Sequence, residues 1–284
     1  MRGGLVAAAV AVLVATAAVG CGAGEDLVVA GTAPATPYGG PLHVPARNLD
    51  EHGARAVLAG AGAAGRALEC DGDIYSGGVS DPWSEGDGGG TPEEGLRAYF
   101  DMEQPEVPRY GYRVEREEDG RVLFSYDVDG RTKVAVVVTE DREDRPGWGP
   151  ESSASCDPAE LPESFTDSLE TEIWTDADGR RVPTTEISSS AGSAHCDWQD
   201  VHFLELGVNP DRRMFARDPE GVLDRAMLNA AYDGDVPMPD GAHDTGYRLG
   251  DWRLWLAGDR LTAYVRTLDG VEAWPLVPDG MGCK

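Results

Sequence analysis

The densest set of groups able to do chemistry is HCDWQDVH, residues 195–202. His195, Asp197, Asp200 and His202 carry the nitrogen and oxygen atoms that Zn²⁺ takes, and a zinc site needs three or four of them converging. In an extended segment positions 195, 197 and 199 share one face while 200 and 202 share the other. The two histidines then point apart unless the chain turns between them. The sequence therefore calls for no metal site and leaves these four as its only candidates. DVDG (127–130) and DADG (176–179) begin like a calcium loop, but neither continues into D-x-[DN]-x-[DN]-G with glutamate at the twelfth position. Each lies where β-rich runs reverse, so a hairpin turn accounts for it. SDPWSEGDGGG (80–90) is acidic enough to wrap Ca²⁺ but reads as a solvated loop. The nucleophile elbow G-x-S-x-G is absent, and the serines of SSSAGSAH (188–195) have no arguable acid partner. No cofactor is expected.

The tryptophans are more suggestive. In DWRLWLAG (251–258), strand alternation puts Trp252, Leu254 and Leu256 on one face and Arg253 with Trp255 on the other. If the first set faces the core, Arg253 and Trp255 form an outward binding surface, able to stack on a sugar ring or anchor a protein.

Charge narrows the choice of partner. The 284 residues hold 51 acids against 24 bases, a formal net charge of −27. Nucleic acid is excluded as an expected partner, because its binding rests on Lys and Arg neutralising phosphates. An anionic membrane surface would repel the body as well. Lysine occurs only at 133 and 284, and this Arg and Ala bias fits a high-GC genome.

Met1 and Arg2 precede an apolar run from Leu5 to Val19, broken only by Thr16. A membrane-spanning helix needs about 20 such residues, whereas the apolar region of a signal peptide needs roughly 7–15. Ala18, Val19 and Gly20 then lead into Cys21. These four residues resemble the lipobox of bacterial lipoproteins, departing from it at Ala18, where that family most often has Leu. The resemblance implies cleavage after residue 20 and a diacylglyceryl group on the Cys21 sulfur. Two acyl chains hold a protein stably where one holds reversibly. The expected location is the outer face of the cell membrane.

Setting Cys21 aside leaves Cys70, Cys156, Cys196 and Cys283, an even number in an exported chain where disulfides persist. Four cysteines allow three pairings. The favoured one is 70–156 with 196–283, each bridge closing one segment.

The elements that must position these groups fall into blocks. Residues 1–20 read as a signal peptide, and 21–46 as the lipidated cysteine with a flexible Gly/Pro-rich tether. Residues 47–160 form a first module, 161–172 a linker and 173–284 a second module. In the first, Thr91-Pro92 caps a helix, with Glu94 completing a capping box and Leu96, Tyr99 and Phe100 on its apolar side. A meander follows, turning at Asp119-Gly120 and Asp129-Gly130. In the second, a hairpin turns at Asp178-Gly179 and residues 201–206 read as a strand. Asp218-Pro219 then caps a short helix, and a second meander closes the chain. Both meanders open on Gly-Tyr-Arg, at 111–113 and 246–248, which suggests a distant duplication. The expected class is α+β, as two small modules, each a helix packed on an antiparallel meander and closed by a disulfide.

GYRVEREEDGRVLFSYDVDGRTKVAVVV, ASCDPAE, AHCDWQDVHFLEL and RDPEGVL resemble segments of uncharacterised secreted proteins of actinobacteria. That resemblance spans most of residues 66–284 and implies no activity. The expected function is a membrane-anchored, extracellular, non-enzymatic lipoprotein that binds an envelope protein or glycan. An anchored, metal-assisted hydrolase using residues 195–202 is the alternative.

Overall fold

The structure is a computed structural model. It describes residues 26–278 except 46, 48, 50–52, 78–82, 84–85, 104–106, 143–144, 168, 170 and 209–210. The signal-peptide reading, Cys21 and Cys283 lie outside the described residues. The protein mixes α and β structure, with most strands in two antiparallel sheets and few helices.

The first sheet forms where turn chemistry and apolar alternation agree. In chain order its parts are β1 (Val28–Val29), α1 (Ala54–Gly60), α2 (Gly62–Ala67), β2 (Ile74–Ser76), α3 (Pro92–Glu103), β3 (Tyr110–Glu118), β4 (Arg121–Val128), β5 (Arg131–Arg142) and β6 (Arg145–Cys156). The strand order is β1-β3-β4-β5-β6-β2. Asp119-Gly120 and Asp129-Gly130 make the two tight hairpins, all four residues at positive φ as mirror-image turns require. Along β5, Val134, Val136 and Val138 enter the core under α3, whereas Ala135 and Val137 meet α2 on the opposite face. Thr91 caps α3 by accepting from the Glu94 N–H at 3.3 Å, but the Glu94 carboxylate reaches back to the Gly90 N–H at 2.5 Å. Cys70 and Cys156 are joined, tying the end of α2 to the end of β6.

Two stretches read as connectors belong to this fold. In the presumed tether, β1 adds to β3 in parallel, with Val28 N–H donating to Arg109 O and Ala30 N–H to Tyr112 O, each at 2.9 Å. Farther along, Tyr38 N–H donates to Glu115 at 2.6 Å, and the Arg116 guanidinium donates to the carbonyls of Tyr38 and Gly40. Leu42 is buried beside α2. Gly/Pro composition hid these contacts because backbone docking needs few apolar side chains. Replacing Arg116 by alanine removes bonds to a charged donor, each worth about 1.5–3 kcal/mol. Chymotryptic cleavage at Tyr38 is expected to accelerate roughly tenfold or more. An unchanged cleavage rate, read by mass spectrometry, would show that the segment is held by other contacts.

The presumed linker, 161–172, is also part of the body. Leu161 and Phe165 enter the first core, the latter from α4 (Glu163–Thr166), with its ring 4.6 Å from Tyr126. Two apolar residues in a polar run were enough.

The second sheet comprises β7 (Thr171–Glu172), β8 (Ile187–Ala191), β9 (His202–Leu206), β10 (Arg213–Arg217), β11 (His243–Leu249), β12 (Trp252–Leu256), β13 (Thr262–Arg266) and β14 (Val271–Val277). Its order is β11-β12-β13-β14-β10-β9-β8-β7. Trp174, Trp274, Leu204, Phe215, Leu254 and Val265 build its core. The expected hairpin around Asp178-Gly179 is a loop closed by a single bridge, Thr175 to Arg181. Asp176 holds it by accepting from the N–H groups of Asp178 and Arg180.

The helix expected at Asp218 does not form. Asp218 is buried and accepts from the N–H groups of Val222 and Leu223, folding the chain into a loop in which Gly221 sits at φ +67°. Among the described residues of this half, the remaining helical turns are 3₁₀ pieces at Ala194–Cys196 and Arg225–Met227. A helix packed on each meander is therefore correct for the first sheet and wrong for the second. Both Gly-Tyr-Arg tripeptides do open a four-stranded meander, β3 to β6 and β11 to β14. Their glycines share φ, +86° at Gly111 and +87° at Gly246.

Candidate functional site

The 195–202 cluster is separated by its own turn. His195 is exposed in the 3₁₀ turn, with Nδ1 2.5 Å from Ser193 Oγ. Cys196 is disulfide-bonded, with its partner outside the described residues. Asp197 takes a left-handed conformation at φ +60° to end the turn, and Asp200 is exposed. His202 faces inward on β9, its ring edge-on to Trp252 and Trp274 at 5.3 and 5.9 Å. Its Nε2 lies 2.6 Å from Glu172 Oε2. Ser189 Oγ donates to the same carboxylate at 2.5 Å and accepts from Trp174 Nε1 at 2.9 Å. Burial acts to raise the Glu172 carboxyl, but the bonds from His202 and Ser189 outweigh it and hold the group below its usual range.

In that chain Ser189 and His202 both meet the Glu172 carboxylate, and Ser189 bonds to the glutamate rather than to the histidine that would serve as its base in a Ser-His pair. Among the described residues, the one grouping close enough to share a metal ion is Cys70, Cys156 and Glu160, and its two sulfurs are bonded to each other. Residues 80–82, 84 and 85 of the acidic SDPWSEGDGGG loop lie outside the described residues, while Trp83 is buried.

The outer face of the second meander is different. Leu254 and Leu256 enter the core, so Arg253 and Trp255 stand on the opposite face of β12. Register then decides what lies beside them. Leu249 pairs with Trp252 across a two-residue turn at Gly250-Asp251, which puts Arg248 opposite Arg253. On the other side Arg253 pairs with Arg266 and Trp255 with Tyr264. Three arginines thus form one cross-strand row on β11, β12 and β13, with an aromatic pair in the next row. The Arg266 guanidinium lies 5.5 Å from the centre of the Trp255 ring. Trp255 is therefore capped by a cation, and its Nε1 is buried with no hydrogen-bond partner.

Acid touches this row at one end. Asp244 pairs with Trp255 across the strands and accepts from Arg248 Nη1 at 3.1 Å. Burial acts to raise the Asp244 carboxyl, but the Gly246 N–H, Arg248 and Arg253 outweigh it and hold it low. Like charges directly opposite one another destabilise a sheet. Such a row in a chain of net charge −27 has an electrostatic cost that an anionic partner would remove.

No protein-family model, curated protein or solved structure matches the chain. The site is argued from its geometry alone. Sequence alternation found Arg253 and Trp255 but not Arg248, Arg266 and Tyr264. The Gly250-Asp251 turn sets Arg248 opposite Arg253, and the separate β12–β13 register brings in Arg266 and Tyr264.

Proposed function

We propose that this chain is a non-enzymatic lipoprotein, anchored at the outer face of the membrane through Cys21, that binds an anionic envelope glycan on the β11–β13 face. The observation that carries the binding reading is the row Arg248–Arg253–Arg266 beside Trp255 and Tyr264. Guanidinium forks match carboxylate and phosphate oxygens, and flat aromatic rings offer stacking surfaces to sugars. The acidic remainder does not forbid this, since charges beyond about 8 Å are largely screened at physiological salt. The two sheets, each with its own buried cluster, support a two-module organisation with a common meander ancestor.

Docking of β1 changes the expected tether. Only about six residues separate Cys21 from the first sheet, a reach of roughly 20 Å at full extension. The anchored body would ride close to the membrane rather than on a long leash.

Two measurements test the proposal. In detergent phase separation of the full chain, the native protein is expected in the detergent phase and Cys21→Ala in the aqueous phase. Equal partition of the two would remove the anchor. For the face, polygalacturonate serves as a carboxylated probe and dextran as the neutral control. Arg253→Glu with Arg266→Glu is expected to weaken polygalacturonate binding about tenfold or more, equivalent to about 1.4 kcal/mol per decade. An affinity that ignores this double substitution, or that matches dextran, would reject the face.

A further inference from the structure

A second site, separate from the arginine face, lies at the other end of the second sheet's strand order. Ile187 and Leu204 enter the second core, so alternation puts Ser188 and Ser190 of β8, with Phe203 and Glu205 of β9, on the outer face. Register sets Thr171 of β7 beside Ser190, and Ser190 beside Phe203. Tyr75 of β2 and Pro158 stand across from this face and enclose with it a cleft of about 250 Å³. Bonds between the two sides hold the walls in place. Tyr75 Oη lies 2.7 Å from Thr184 Oγ1, and the buried Asp157 accepts from the Thr184 N–H and from its hydroxyl, each at 3.0 Å.

The polar groups of this cleft are open to solvent and only partly engaged. Thr171 and Ser190 are partly exposed, and neither hydroxyl bonds to any described residue. Arg212 forms an ion pair with Glu205, and the same Nη2 donates to Ser188 Oγ at 3.2 Å. These contacts use Arg212 Nη2 and Glu205 Oε2. They leave Arg212 Nη1 and Glu205 Oε1 unengaged by the described residues, on side chains 27% and 37% exposed. The open set therefore holds one group that only donates, one that only accepts and two hydroxyls that do both. Tyr75 adds an aromatic side chain that is 40% exposed, and Phe203 a second that is partly so.

We infer that this cleft binds one ring of a neutral sugar. Every hydroxyl on a pyranose rim both donates and accepts, so the ring needs neighbours of both kinds, and its C–H face packs against aromatic rings. The lining offers both. Charge selects the neutral form, because the Arg212 and Glu205 charges cancel and neither an anion nor a cation finds a net counter-charge. A purely apolar ring would strip water from the open polar groups without replacing its hydrogen bonds. The volume lies between one and two of the ~150 Å³ cavities that each take up a six-membered ring, so it suits a single pyranose. Walls fixed in advance by the Tyr75–Thr184 and Asp157–Thr184 bonds reduce the ordering cost of binding.

The test uses full-chain Cys21→Ala protein, which lacks the proposed lipid and needs no detergent. Ligand-observed NMR titrations with the methyl glycosides of glucose, galactose and mannose read neutral pyranoses. Glucuronate reads the charged form, and cyclohexanol a ring with a single hydroxyl. The expected result is saturable binding of at least one methyl glycoside with a Kd of about 10 mM or below, and binding about fivefold weaker or more for glucuronate and cyclohexanol. Thr171→Val keeps the side-chain shape and removes one open hydroxyl, and Ser190→Ala removes the other. Together they are expected to weaken the glycoside about tenfold while leaving the urea midpoint unchanged. Arg253→Glu with Arg266→Glu is expected to leave glycoside binding within about twofold of native. Four results would overturn the cleft: no saturable binding of any glycoside, glucuronate or cyclohexanol binding as tightly, no effect of removing both hydroxyls, or loss of binding in the arginine variant. The arginine face and the anchor keep their own readouts, polygalacturonate and phase partition.

Discussion

Replacing Cys70 and Cys156 together by alanine is expected to lower the free energy of unfolding by about 4–5 kcal/mol at neutral pH. The bridge spans 86 positions, and loop-closure entropy for a segment of that size gives this magnitude. A typical domain has only about 5–15 kcal/mol to lose, so the variant would sit near the threshold of folding. The position of the bridge adds to the effect. Cys156 ends β6 with no exposure and pairs with Ile74 of β2, while Cys70 follows α2. Losing the link frees α2 and the edge strand β2 together from the sheet, and with them the helix face that covers Ala135, Val137 and Ala154. Urea unfolding of the native and doubly substituted proteins measures the difference. A loss below about 1 kcal/mol would mean that the unfolded chain is already restrained over this segment, contrary to the entropic account.

Removing the Glu160 carboxylate is the second large effect. Lys133 is 4% exposed, and its ammonium donates to Glu160 at 2.5 Å and to the Glu69 carbonyl at 3.0 Å. Glu160 also accepts from the N–H groups of Asp71 and Gly72, each at 2.9 Å in its shortest contact. Glu160→Ala leaves a buried ammonium without its main counter-charge, and breaking such a pair costs about 3–5 kcal/mol. The double variant Lys133→Met with Glu160→Gln is expected to recover most of that loss, because the unpaired charge goes too.

The same carboxylate gives a pH signature. Burial acts to raise Glu160, but Lys133 and the two N–H groups outweigh it, so its folded value lies below the ordinary 4.5. A carboxylate held low in the folded state binds fewer protons there than in the unfolded chain. Its contribution is therefore complete above about pH 4.5 and disappears as pH falls through the lower folded value. In Glu160→Gln that part of the acid limb is expected to flatten. Urea midpoints taken from pH 7 down to pH 3 report it. Parallel curves for the two proteins would show that the pair carries no pH-dependent stability.

What the sequence by itself determined was local. Asp-Gly pairs at 119–120 and 129–130 fix mirror-image turns, and apolar alternation then sets which side of each strand is buried. That was enough to place β3, β4 and β5, the capped helix α3, and Arg253 with Trp255 on the face away from the core. Cysteine parity and segment length gave the 70–156 bridge. The tertiary structure decided whatever depended on residues far apart in the chain. Parallel pairing with Tyr110 and Tyr112 turned part of a Gly/Pro-rich stretch into β1, and packing against Tyr126 drew Phe165 out of an apparent linker. The buried Asp218 carboxylate capped a loop where a helix was expected, since a side chain that caps two N–H groups serves either shape. Strand register gathered Arg248, Arg253 and Arg266 into one row, and helix-on-sheet packing buried the hydroxyls of Tyr112 and Ser153. Turn chemistry and alternation act over a few neighbouring residues, so one chain segment reveals them. Register and enclosure are set by where distant surfaces meet, and only the folded chain brings those surfaces together.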